Sequence, residues 1–260
     1  MATELRSERE GNCLVLTLSD PATRNSLSPQ ANAAAVEALS TAESDRDLRC
    51  VLVRGDGEHF CGGGNLQRLQ TVRRGDPQEQ VRSMDKLHAL IEALRSFPKP
   101  VVAAVEGFAA GAGCALVLAC DLVIASSQAR FVLSYGRVGL SPDGGTTWQL
   151  ARALPRAVAM RMIWLAEPMS AQEGQRWGLV NEVVDPGQAL SRALALGEQL
   201  GKMSPNALAS AKELMNEAAG RSLGEQMDAE RLHFVRNLFD ANGGEGIAAF
   251  LEKRPPRFES

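Results

Sequence analysis

KPVVAAVEGFAAGAGCALVLACDLVIAS, residues 99–126, decides the fold. Pro98 and Pro100 end whatever helix precedes it. Residues 101–105, VVAAV, then predict a buried strand. Residues 107–113, with Gly107, Gly111 and Gly113, predict a turn, and residues 114–119 a short buried helix. Residues 122–125 and 130–133 predict two further strands. Glu106, Asp121 and the glycines interrupt the apolar run, so it predicts a protein core and not a membrane span.

Upstream, residues 13–18 predict a first strand. Ser28 and Pro29 predict the cap and first turn of a helix to about residue 42. Residues 50–54 predict a strand running into the turn Gly55-Asp56-Gly57. Residues 78–97 carry Val81, Met84, Leu87, Leu90, Ile91 and Leu94 at helical spacing. Downstream, helices are predicted over 145–153, 156–165 and 171–177, and a strand over 180–184. Short strands alternating with helices predict an α/β core. From about residue 188 the chain predicts as helical, with a helix start at Ser204-Pro205. The division expected is a core over 1–200 and a helical region over 201–260. The apolar faces within 207–250 exceed what three helices hide among themselves, which predicts packing on a partner subunit.

Composition narrows the function. Aromatic residues make up 5% of the 260, so the core is expected to be built from small aliphatic side chains. A net charge of −3 without a basic stripe argues against nucleic acid as partner. The five cysteines form no C-x-x-C and sit mostly in apolar runs, where a thiol acts as a small hydrophobe. They read as reduced and structural. The N-terminus MATELRSEREGN is polar and has no signal or transit pattern, so a cytoplasmic location is expected.

Two glycine-rich turns carry the chemistry. Residues 61–64, CGGG, and 111–113, GAG, each follow a β-run. Glycine permits positive φ and close backbone approach. Two such turns can aim two N–H groups at one point, and such fixed donors stabilise an oxyanion or enolate. The competing explanation is a tight connection and nothing more. Residues 62–67 do not complete G-x-G-x-x-G, because Gln67 fills the last place. No P-loop, no G-x-S-x-G nucleophile elbow and no metal-ligand cluster occurs.

In order, PATRNSL (21–27), VLVRGDGEHFCGGGNL (51–66), residues 99–126, GLSPDGGTTWQLAR (139–152), WGLVNEVV (177–184) and EGIAAFLEKRPPRF (245–258) resemble the crotonase superfamily, the enoyl-CoA hydratases and isomerases. The resemblance spans nearly the whole chain. It implies an α/β spiral of β-β-α units, with a C-terminal helical region that builds homotrimers or dimers of trimers. It implies an acyl-CoA thioester as substrate, with no cofactor beyond the coenzyme A carried in that substrate. It places the oxyanion donors at the Gly64 and Ala112 N–H groups. Arg24, Ser26 and Leu27 would line the CoA path, with Gly62 and Gly63 near the adenine and pantetheine.

The chain departs from the hydratase pattern. The positions matching the two hydratase glutamates are Ala115 and Tyr135, so a standard hydratase is not expected, and Tyr135 becomes a substrate-pocket residue. A carboxylate stands nearby at Asp143. Local sequence favours a helix cap or turn for Asp143. The resemblance instead assigns it the acid/base role of isomerases with a PDxGG-like segment. His88, on the helix before KP, leaves a second reading open: with Asp143 it resembles the aryl-CoA dehalogenase branch, where Asp attacks the ring and His assists hydrolysis. A third reading is an acyl-CoA binder without catalysis. Asn65 is expected to cap the segment after it.

Overall fold

The computed structural model of the protein describes residues 3–259. In chain order the elements are β1 (Glu4–Glu10), β2 (Cys13–Ser19), α1 (Pro29–Glu43), β3 (Cys50–Gly55), α2 (Leu66–Val72), α3 (Pro77–Ser96), β4 (Val101–Val105), β5 (Phe108–Ala110), α4 (Ala112–Ala119), β6 (Leu122–Ser126) and β7 (Arg130–Val132). There follow α5 (Thr146–Ala153), α6 (Arg156–Leu165), β8 (Met169–Ser170), α7 (Ala171–Arg176), β9 (Glu182–Val184), α8 (Ala189–Leu200), α9 (Pro205–Ala218), α10 (Leu223–Leu238) and α11 (Ala241–Leu251). A six-stranded sheet runs β1-β2-β3-β4-β6-β9, parallel except at β1. A three-stranded sheet runs β5-β7-β8.

The connectivity is a spiral. β4 enters the large sheet, β5 the small one, and α4 returns; β6, β7 and α5 repeat the step. Earlier turns do the same with single bridges in place of strands, Leu27 to Gly64 and Cys61 to Ala109. From β2 to β6 both faces of the large sheet are covered, which is why those strands read as unbroken apolar runs. Val51, Val53, Val101, Ala103, Val105 and Val123 face the small sheet and its helices. Cys13, Val15, Cys50, Leu52, Val102, Ala104 and Ile124 face α8. Helix α8 presents Ala189, Ala193 and Gly197 there, and a Cβ on Gly197 would lie 2.3 Å from Cys13 Sγ. The small-side-chain core expected from composition is the one observed, and all five cysteines are free thiols.

Lys99 fixes the spiral locally. Its Nζ donates to the carbonyls of Ala42, Glu43 and Asp45, tying the end of α1 to the start of β4. Asp121 receives the Val101 N–H and the Lys212 ammonium at 2.7 Å, anchoring α9 to the core. Beyond that anchor α10 and α11 leave Phe234, Phe239, Phe250 and Leu251 largely exposed. No helix among the described residues is long and apolar enough to cross a membrane.

Four local expectations needed correction. The polar N-terminus contains β1, an edge strand that is mostly exposed and so lacks an apolar face. Residues 107–113 are not one turn, because Phe108–Ala110 pairs with Arg130–Val132. Helix α4 begins at Ala112, two residues before the expected start. The strand expected over 180–184 begins only at Glu182.

Candidate active site

The two glycine turns meet. The Cys61 N–H donates to the Phe108 carbonyl at 3.0 Å, and the Ala110 N–H donates to the Cys61 carbonyl at 2.8 Å. On the other side, Gly62 donates to the Arg24 carbonyl and Leu27 to the Gly63 carbonyl, both at 2.7 Å. A Cβ on Gly63, whose φ is +82°, would sit 2.5 Å from the Ala110 carbonyl oxygen and 3.3 Å from the Ala112 nitrogen. A Cβ on Gly113 would sit 2.5 Å from the Cys61 carbonyl oxygen. Glycine is therefore required at both positions to bring the backbones together.

This contact leaves two donors over. Among the described residues, no backbone carbonyl accepts the Gly64 or the Ala112 N–H. Ala112 is the first residue of α4, where N–H groups lack intrahelical partners and the helix dipole favours negative charge. The Cys61 and Cys114 thiols beside the turns are pushed up to about 12 by burial, so they stay protonated and serve as packing groups.

Two spaces share Gly64 in their walls. An open cleft of about 1620 Å³ is lined by Arg24, Ser26, Gly62, Gly64, His88 and Phe108 among others. A smaller pocket of about 280 Å³ is lined by Leu27, Gly64, Ala112, Tyr135 and Asp143, with Met84 and Leu87 on its apolar wall. Gly63 lines neither; it is buried behind Gly64. The Arg24 guanidinium lies 5.9 Å from the Phe108 ring centroid, on the wall of the cleft. His88 is exposed in the cleft and makes no hydrogen bond to Asp143.

Asp143 does not cap a helix. Its backbone carbonyl accepts from the Thr146 N–H at 3.0 Å and the Thr146 hydroxyl at 2.7 Å, while Gly144 and Gly145, both at positive φ, turn the chain into α5. The carboxylate is free of that duty and accepts the Tyr135 hydroxyl at 2.6 Å. Burial holds the Asp143 carboxyl above the usual carboxylate range, against the downward pull of the Tyr135 hydrogen bond and of His88. Burial, then the charge of Asp143, push the Tyr135 phenol upward, so it stays protonated and donating. Ala115 is fully buried, and a Cβ on Gly144 would lie 2.9 Å from its Cβ. Asn65 caps α2 as expected, accepting from the Arg68 N–H at 3.0 Å.

Two side chains escaped the sequence reading. Asn25, fully buried at φ 56°, accepts from the Asp20 N–H and donates to the Asp56 and His59 carbonyls, clamping the 20–27 loop to the loop before Cys61. Its signal was the tolerance of Asn for left-handed backbone in PATRNS. Asn32 lines the small pocket from α1. Its signal was a polar residue on the face shared with Ala35 and Leu39.

The family model described as enoyl-CoA hydratase/isomerase matches residues 8–260. The chain is 36% identical to the 1,2-epoxyphenylacetyl-CoA isomerase of Escherichia coli (strain K12), over 97% of each chain. It is 33% identical to the 2,3-dehydroadipyl-CoA hydratase of the same organism, over 99% of each. A solved enoyl-CoA hydratase from Polaromonas sp. JS666 superposes with a TM-score of 0.97 at 54% identity, covering 98% of this chain and 100% of that one. Fold, motif order and sequence agree, and the chain belongs to the enoyl-CoA hydratase/isomerase family of the crotonase superfamily.

Proposed function

We propose that this enzyme is an acyl-CoA isomerase that shifts a double bond, or rearranges a ring-type acyl group, with Asp143 as its single acid/base. The carrying observation is the Asp143 carboxylate, unused by any helix cap, held by Tyr135 in the pocket that also contains the Gly64 and Ala112 N–H donors. The CoA portion lies along the large cleft past Arg24 and Ser26, and the thioester carbonyl sits on the two N–H groups. Asp143 takes a proton from the acyl chain, the electron pair moves to the thioester oxygen, and the two donors hold the resulting enolate. The proton returns from Asp143 at the other carbon. One base suffices, no water is consumed and no cofactor is needed.

Hydration in this family's pattern uses two carboxylates, and the small pocket is lined by one. Exposed His88, without a bond to Asp143, gives no support to the dehalogenase alternative. The isomerase among the relatives agrees with the proposal; the dehydroadipyl-CoA hydratase shows that water addition occurs at similar identity. The exposed aromatic residues of α10 and α11 support assembly as a homotrimer or a dimer of trimers. The test is solvent deuterium exchange of an enoyl-CoA followed by NMR. Wild-type protein is expected to exchange and migrate the double bond without incorporating ¹⁸O from water. Asp143→Asn is expected to bind the thioester and do neither; full activity in that variant sinks the assignment.

A further inference from the structure

Asp143 has little stiff backbone behind it. Gly144 and Gly145 follow it, both at positive φ, where glycine leaves the chain most freedom. Two contacts hold the residue from outside. One is the Tyr135 hydroxyl, which donates to the carboxylate at 2.6 Å. The other is Thr146, whose backbone N–H and hydroxyl both donate to the Asp143 backbone carbonyl, at 3.0 and 2.7 Å. Thr146 is 1% exposed and is the first residue of α5. Its hydroxyl also stands against the Tyr135 phenol, which burial pushes up and Thr146 pulls down. One buried hydroxyl therefore touches both members of the proposed acid/base pair.

We infer that Thr146 is a positioning residue, whose hydroxyl keeps the Asp143 carboxyl over the acyl chain while its charge is absent between the two proton transfers. This rests on the isomerase reading of the site. The two contacts respond differently to a proton. The Tyr135 bond is charge-assisted while Asp143 is ionised, and it weakens once the carboxyl is neutral. The Thr146 bond ends on a backbone carbonyl, whose charge does not change. Asp143 must take a proton from one carbon and return it to another without turning away, and in between Tyr135 holds it least. Thr146 also ties Asp143 to the frame of the oxyanion site. Helix α5 buries Leu150 in the core and packs on α4, and the Gln149 amide donates to the Ala115 carbonyl at 3.4 Å. Ala112 opens that same α4. The base and one N–H donor are thus fixed to two helices that are fixed to each other.

The test compares Thr146→Val, which keeps the side-chain shape and loses the hydroxyl, with Thr146→Ser, which keeps the hydroxyl. Migration of the double bond in 3-hexenoyl-CoA is measured at a pH above the Asp143 pKa, where the base starts ionised in every protein. Thr146→Val is expected to lose at least about tenfold in kcat, as misplacement of a reacting group implies. Its KM is expected to stay within about threefold, because Thr146 lines neither the cleft nor the small pocket. Thr146→Ser is expected to retain kcat within about threefold of wild type. Should Thr146→Val not fold, Thr146→Ala against Thr146→Ser makes the same comparison. An unchanged kcat in Thr146→Val, or an equal loss in Thr146→Ser, overturns the inference. A second readout needs no turnover: the carbon-13 signal of the Asp143 carboxyl, assigned with Asp143→Asn and recorded below its pKa. In Thr146→Val that signal is expected to move toward the position of an exposed aspartic acid, and in Thr146→Ser to stay in place. That shift in a protein that isomerises no thioester sinks the isomerase reading and leaves the Thr146 tether standing. Isomerisation with rates and spectra alike in all three proteins does the reverse.

Discussion

Replacing Tyr135 with Phe isolates the group that tunes the proposed base. The lost contact is the 2.6 Å hydrogen bond from the phenol to Asp143 Oδ1. Hydrogen bonds to charged groups contribute about 1.5–3 kcal/mol, against about 0.5–1.5 kcal/mol for neutral pairs. The bond favours ionised Asp143, opposing the burial that favours the neutral acid. Without it the carboxyl rises further above the usual range. The reaction needs the ionised carboxylate, so kcat/KM falls as pH drops through the Asp143 pKa. In Tyr135→Phe this acid limb moves to higher pH. On the wild-type limb the variant is slower by roughly 10- to 100-fold, the equivalent of that energy. On the plateau above the limb Asp143 is ionised in both proteins, and the rates converge to within a few-fold. The assay is double-bond migration, followed by absorbance, across the pH range. Stability gives an independent sign. A carboxyl raised in the folded state favours folding below its unfolded value of about 3.9, and that contribution is lost as pH rises through the folded pKa. Tyr135→Phe deepens the loss, so it lowers Tm more at neutral pH than in acid. An unmoved acid limb, with a rate drop equal at every pH, would refute Asp143 as the titrating base.

Other perturbations probe the frame around it. Gly63→Ala puts a Cβ 2.5 Å from the Ala110 carbonyl at φ +82°, forcing the two turns apart. The loss of a donor predicts a fall in kcat of at least about 100-fold, and a change under about threefold would mean that the turns do not form the oxyanion site. Asn25→Ala removes three buried hydrogen bonds, about 3 kcal/mol at about 1 kcal/mol each, readable as a lower urea midpoint. An unchanged midpoint removes Asn25 as the clamp of the 20–27 loop. Phe239→Asp with Phe250→Asp places charge on side chains 84% and 83% exposed in the single chain. Sedimentation is expected to show a multimer for wild type and smaller species for the pair; a monomeric wild type rules the assembly out.

Much of the fold could be read from local pattern because strands buried on both faces leave long apolar runs. The Ser28-Pro29 start of α1 shows in sequence because capping is local, with the Ser28 hydroxyl accepting the Ala31 N–H. β1 and β5 could not be read that way. β1 is an exposed edge, and β5 is three residues whose pairing with β7 lies across α4 and β6. The glycine turns could be read as sites of close backbone approach because that approach demands glycine locally; the choice of Gly64 and Ala112 as donors came from the family resemblance. Asn32 gave only a weak local signal: nothing in ANAAAV tells that this face of α1 closes a pocket made by α2, α3 and the 140–143 loop. Asp143 was ambiguous for a physical reason. Asp before two glycines suits a cap, and only the tertiary structure shows the glycines and Thr146 doing that work.

Ala115 and Gly144 bear on why the proposed acid/base group stands on a loop and not on α4. Their Cβ positions compete for one space, 2.9 Å apart if Gly144 carried a side chain, and that added Cβ would also lie 3.5 Å from Leu87 Cδ2. Ala115 has no exposed surface, and its carbonyl accepts from the buried Gln149 amide. A glutamate at 115 would drive its side chain into the 142–145 loop and displace the segment that brings Asp143 to Tyr135. A carboxylate on α4 and Asp143 in its present place are therefore alternatives within this backbone. The small residue at 115 lets the loop close down, the close approach buries Asp143, and that burial raises its basicity. On this argument the missing helix carboxylate is a geometric condition for the proposed base and not a loss of function.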